Sequence, residues 1–287
     1  MTVDAASIAT AFKTACRAEL EALKPGNVHV FAAGHRMTVE QFTRSADAAA
    51  APLSARGARI GRRILDAVEA TFAAAGANTN LGIILLCAPL AAAAERGPTD
   101  LRAALASILT DLDVDDASLA FRAILQASPA GLGQAERNDV AHPARVTLAQ
   151  AMAEAADRDR IARQYATGYT DMFERGLPAL AAAAARGWDQ KWAVLAVYLG
   201  FLGAFPDSHI VRKYGPALAE EVRHNAVGFE AALQSQRDPA HLTADLLAWD
   251  AALKARNINP GTSADLTVAT LFARNLATIL PSARNSG

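Results

Sequence analysis

Ile83-Ile84-Leu85-Leu86-Cys87-Ala88-Pro89-Leu90 is apolar on every face and runs on into the alanines Ala91 to Ala94. A helix with no polar side has nothing to show to water, so this stretch is predicted to lie at the centre of a helical core. Gly76-Ala77-Asn78-Thr79-Asn80-Leu81-Gly82 stands immediately before it. That polar start is carried to the end of the core, where amides and hydroxyls are costly to bury unpaired. Asn78, Thr79 and Asn80 therefore read either as a cap satisfied by neighbouring backbone or as groups that bind a ligand.

Outward from this helix, Trp188 to Phe205 is a second near-continuous apolar run. Around the two, apolar residues recur at helical spacing, as Ile8, Phe12, Cys16 and Leu20 do. The expected amphipathic helices cover 5–23, a segment opened by a Thr38–Gln41 capping box, 57–75, 99–112 from Thr99 and 115–127 from Asp115. They continue over 147–167, 168–185, 216–235 and 241–256, with a last helix after 260. No segment alternates as a strand does, and no solenoid-length repeat recurs. The fold expected is all-α: a single multi-helix globular domain over 1–287, of about a dozen helices, with central buried helices. Residues 128–143 form the longest irregular segment, and a loop of that length inside a compact domain is a candidate for function.

Composition excludes several classes. With a net charge of −1 and no basic block, a nucleic-acid partner is not expected. Cys16 and Cys87 lie on apolar faces, which suits buried thiols in a reducing cytoplasm. No leader pattern and no uncharged span of membrane length is present, so the expectation is a cytoplasmic protein without a membrane partner.

The chemistry-bearing residues gather in four turns at helix ends: Lys24-Pro25-Gly26-Asn27-Val28-His29, Asn78-Thr79-Asn80, Pro206-Asp207-Ser208-His209 with Arg212-Lys213, and Asn259-Pro260-Gly261-Thr262-Ser263-Ala264-Asp265. In the last, Pro260-Gly261 is a turn signal, Thr262 or Ser263 can cap the following helix, and Asp265 falls in its first turn. There is no nucleophile elbow, zinc spacing, Walker loop or Rossmann glycine fingerprint. The inventory suits an anionic, hydroxyl-rich ligand held by amides, helix ends and cations. Asp207 and Asp265 are the candidate ligands of Mg²⁺, directly or through water, because carboxylates beside a phosphate need an intervening cation. Arg212 and Lys213 would meet phosphoryl oxygens, and the four turns are expected to converge on one pocket.

These turns resemble those of the triphosphoribosyl-dephospho-CoA synthase family. The resemblance rests on Lys24 to His29, on Asn78-Thr79-Asn80-Leu81-Gly82, on Pro206-Asp207-Ser208 through Arg212-Lys213, and on Asn259 to Leu266. It implies an all-α fold and the transfer of a ribosyl group between ATP and dephospho-CoA with loss of adenine, ATP being a substrate. It implies Lys24, His29, Asp207 and Asp265 as catalytic residues, Lys24 and His29 facing the phosphates or the attacked ribose. Gly26, Asn27, Asn78, Thr79, Asn80, Arg212, Lys213, Asn259, Gly261, Thr262 and Ser263 would bind substrate. Where such synthases carry His-Lys after Asn-Thr, this chain has Asn80 and Leu81, and Gly34-His35 is followed by Arg36-Met37 rather than by acidic residues. Its wording is more similar to a branch in methane-producing archaea and methylotrophic bacteria. A related transferase or ligase making a one-carbon carrier of the tetrahydromethanopterin or methanofuran type is therefore an alternative, as is a non-catalytic helical binding subunit. A small-molecule nucleotide or coenzyme is the expected partner, with a homodimer as a possible assembly.

Overall fold

The structure, a computed structural model, describes residues 2–31, 38–77, 79–128, 133 and 137–281. Among them are fourteen α-helices and no β-strand, so the chain is all-α. In order, α1 is Ala5–Glu21, α2 Val39–Leu53, α3 Ile60–Ala75, α4 Leu81–Glu95, α5 Leu101–Thr110, α6 Val114–Ala127 and α7 Leu148–Ala155. There follow α8 Arg160–Thr167, α9 Leu177–Ala185, α10 Gln190–Ala204, α11 Ser208–Tyr214, α12 Pro216–Ser235, α13 Thr243–Ala255 and α14 Gly261–Ile279.

Local chemistry sets most starts. The Thr38–Gln41 capping box forms as expected. The helices expected from Thr99 and Asp115 begin instead behind Asp100 and Asp113, whose carboxylates accept the N–H groups of Ala103 and Asp116. The expected helix 147–167 is two helices, because Asp159 accepts the N–H groups of Ile161 and Ala162 and starts α8 afresh. The segment after Gly168 opens with a π-helical turn, Met172–Gly176, before α9.

In α4 every residue but Gly82 and Glu95 is buried, as its all-round apolarity demands. Pro89 lies inside it and has no N–H to offer the carbonyl of Leu85. The Tyr165 hydroxyl fills that role, donating to Leu85 O at 2.6 Å, while Tyr169 donates to Leu86 O at 3.0 Å. The buried break in the hydrogen-bond ladder is thus repaired from outside the helix.

Two hydrophobic clusters share α10. Val194, Val197 and Phe201 face the larger one, built on α1, α4 and α14, whereas Leu195, Tyr198 and Leu202 face the smaller one under α11 to α13. A helix that serves two cores has no side left for polar residues. Among the described residues no single helix is long and apolar enough to cross a membrane.

Candidate active site

The starts of α11 and α14 are locked together by one carboxylate. Asp207 Oδ1 accepts the N–H groups of His209 and Ile210 at 3.0 and 3.3 Å and so caps α11. Its Oδ2 accepts both the N–H and the hydroxyl of Ser263, each at 2.8 Å. The sequence position of Thr262 and Ser263 suggests that one of them caps α14, but neither does: Pro260 occupies the N-cap position, and Asp207 supplies the acceptor from the start of α11. Thr262 Oγ1 accepts from His209 N–H at 3.2 Å, and Asp265 lies one turn further in rather than in the first turn. The first turn of the site joins the fourth through Asn27 Nδ2, which donates to Asn259 Oδ1 at 2.8 Å.

All four turns reach one cavity of about 800 Å³. Asn27, Thr79, Asn80, Arg212, Lys213, Asn259, Gly261, Thr262 and Asp265 line it. Asn78 lies outside the described residues. Lys24, Gly26, His29, Asp207 and Ser263 do not line it; they stand behind the residues that do. The Lys24 ammonium is fully buried, 3.1 Å from the Glu19 carboxylate, and donates to Asn27 Oδ1 and to the carbonyl of Val28. Burial lowers its pKa and Glu19 opposes that shift. His29 is buried against Asp250 and Lys254, its Nε2 at 3.2 Å from each. Burial pulls its pKa down, against the Asp250 hydrogen bond. Asp250 in turn accepts the N–H of Gly26 at 2.8 Å, and Gly26 has a φ of 82°, which glycine adopts freely.

Sequence reasoning missed two carboxylates and one wall. Glu19 lines the cavity from the buried face of α1, where a charge between Cys16, Leu20 and Leu23 was the available signal. Asp159, on the same cavity, caps α8 and holds Arg212 at 3.2 Å. The wall from α6 and α7 is apolar, with Phe121, Ile124, Leu148 and Met152.

Electrostatics single out Asp265. Burial first, then the charges of Asp207, Glu19 and Asp159, push its carboxyl well above the usual carboxylate range, with Arg212 opposing them. No described residue gives it a hydrogen bond or ion pair. Its carboxylate packs on the first turn of α4, where a Cβ on Gly82 would run into Oδ2. Such a group fits a cation brought by a ligand. Among the described residues no three acidic, His or Cys side chains form a metal cage. A phosphate-borne Mg²⁺ needs only one or two carboxylates. Asp265 can be one of them, but Asp207 already accepts four hydrogen bonds from protein donors.

The sequence model of the ATP:dephospho-CoA triphosphoribosyl transferase family matches residues 5–283. A crystal structure from Archaeoglobus fulgidus, of a protein provisionally named triphosphoribosyl-dephospho-CoA synthase, shares the fold. Its TM-score is 0.63, with 24% identity, covering 80% of this chain and 95% of that one. No curated protein matches the chain.

Proposed function

The chain belongs to the ATP:dephospho-CoA triphosphoribosyl transferase family, and from that premise we propose that it moves the triphosphoribosyl group of ATP onto dephospho-CoA. The bond between the ATP ribose C1′ and adenine breaks, and a bond from C1′ to an acceptor hydroxyl forms. The hydroxyl proton is balanced by the one that the departing adenine takes up, and the triphosphate stays intact. The observation that carries the reading is Asp265, a desolvated carboxylate without a described protein partner, on the same cavity as Arg212 and Lys213. A cation arriving with the triphosphate would meet this carboxyl, while Arg212 and Lys213 stand ready for the phosphoryl oxygens.

Arg212 and Lys213 bind phosphoryl oxygens in this scheme. Mg²⁺, when bound, neutralises the triphosphate, and Asp265 is the residue that would hold it. Asp207 acts as the clamp that positions α11 against α14. Lys24 and Glu19 fix the turn that presents Asn27, and the His29–Asp250–Lys254 group fixes Gly26. Reaction in the cytoplasm suits an ATP substrate and two buried, unpaired thiols.

A second acceptor class has a specific observation behind it. Leu81 and the wall of Phe121, Ile124 and Met152 give the cavity an apolar side that a pterin or furan precursor of a one-carbon carrier would fill. Mass spectrometry decides: ATP and Mg²⁺ are supplied with dephospho-CoA or with hydroxyl-bearing pterin and furan precursors. A triphosphoribosyl mass on dephospho-CoA supports the main reading, and the same mass on a precursor supports the second. An adenylyl or phosphoryl mass on either overturns both.

A further inference from the structure

Asn80 is 5% exposed, lines the cavity, and has no described hydrogen-bond partner at either Oδ1 or Nδ2. It occupies the N-cap position of α4, yet its side chain caps nothing. A buried amide left with both atoms unpaired is destabilising, because neither group recovers the hydrogen bonds it made to water. Asn80 shares a small recess with Phe42, Ile83, Leu20 and Ala46, whose one charged member, Glu19, is paired with Lys24. The cationic side chains Arg212 and Lys213 come from α11, a different element of the same cavity.

Those features select a ligand. A phosphate offers acceptors only, so it would satisfy Nδ2 and repel Oδ1. An ammonium fails in the opposite sense. What satisfies a primary amide at both atoms is a flat group with an adjacent donor and acceptor, and 6-aminopurine has that pair at N6 and N7. The apolar members of the recess, the Phe42 ring among them, suit the faces of such a base. Resting on the reading that ATP and dephospho-CoA are the substrates, we propose that Asn80 recognises a 6-aminopurine through its N6/N7 edge. The amide Oδ1 accepts from N6–H and Nδ2 donates to N7. Asn80 is thus a specificity-determining residue for the base, while the phosphates are left to α11.

Both proposed substrates carry this base, and the experiment separates them. Dissociation constants are measured by calorimetry for ATP, 7-deaza-ATP and ITP in the presence of Mg²⁺, and for dephospho-CoA and its 7-deaza analogue. The proteins are the full chain, Asn80→Ala and Asn80→Asp. Expected is about a tenfold loss, 1.4 kcal/mol, when N7 is removed from one of the two substrates in the unmodified protein. That loss disappears in Asn80→Ala, whose affinity for the natural substrate is itself about tenfold lower. Loss with 7-deaza-ATP assigns the amide to the donor nucleotide, and loss with the 7-deaza coenzyme assigns it to the acceptor. The analogue series in the unmodified protein stands even where a variant fails to fold. Equal affinity for every N7 and 7-deaza pair, or discrimination that survives Asn80→Ala, overturns the proposal. If neither ATP nor dephospho-CoA binds at all, the underlying reaction has failed, and that outcome is distinct from binding that ignores N7.

Discussion

Asp265 sits one turn into α14 with burial and the charges of Asp207, Glu19 and Asp159 all raising its pKa. A carboxyl whose folded pKa is raised holds its proton more tightly folded than unfolded. Ionising it therefore removes stability as pH rises from the unfolded value through the folded one. Asp265→Asn is expected to melt higher than the parent at neutral pH, by a few degrees if about 1 kcal/mol is recovered, and equally at about pH 4. The same variant should lose Mg²⁺-dependent ATP affinity, and in the parent that affinity should fall as acid protonates the carboxyl. Unchanged melting together with unchanged affinity would show a carboxylate neither strained nor used. Lys24 gives the opposite case. Its ammonium is buried 3.1 Å from Glu19, so Lys24→Met leaves a buried carboxylate unpaired at a cost of about 3–5 kcal/mol. Adding Glu19→Gln should restore most of that in urea unfolding. A Lys24→Met protein of parental stability that turns over slowly would put the ammonium on the substrate instead.

Among the elements, α4 tests how far a helix can be read from its own residues. Tyr165→Phe should cost about 1–3 kcal/mol, because the Leu85 carbonyl loses its donor. In a Pro89→Ala background the helix regains its own N–H, and the same change should cost little. Equal costs in the two backgrounds would mean that Tyr165 does not compensate for the proline. The all-round apolarity of α4 and α10 was enough to place both in the interior, but not to show that α10 divides its faces between two clusters. Capping rules located Thr38 correctly because the acceptor and donor are three residues apart. They failed at Ser263, where the acceptor is Asp207, 56 residues away. No local pattern reports a cap donated by another helix.

In the whole molecule, the four polar turns were legible as a group because each combines tight-turn residues with amides, hydroxyls or charges. Their division into cavity-lining and supporting residues was not legible, since the sequence shows that Lys24 and Asn27 are polar but not which way each side chain points. Glu19 escaped notice because helical periodicity counts apolar residues and passes over a charge on the same face. We expect residues 1–287 to unfold as one unit, because α10 belongs to both clusters and the cavity joins α4 to α11 and α14. Heating followed by near- and far-ultraviolet circular dichroism should give one coincident transition, and two separated transitions would show independent clusters. The central claim concerns which bond of ATP is broken at this cavity. Its most direct measurement is a double-label turnover with Mg²⁺ and dephospho-CoA, the base of ATP carrying one isotope and its γ-phosphate another. The account predicts the base label in free adenine and the γ-phosphate label in the coenzyme product, in equal amounts and both abolished by Asp265→Asn. Recovery of the γ-phosphate label as phosphate or pyrophosphate, with the base label still in ADP or AMP, would contradict it.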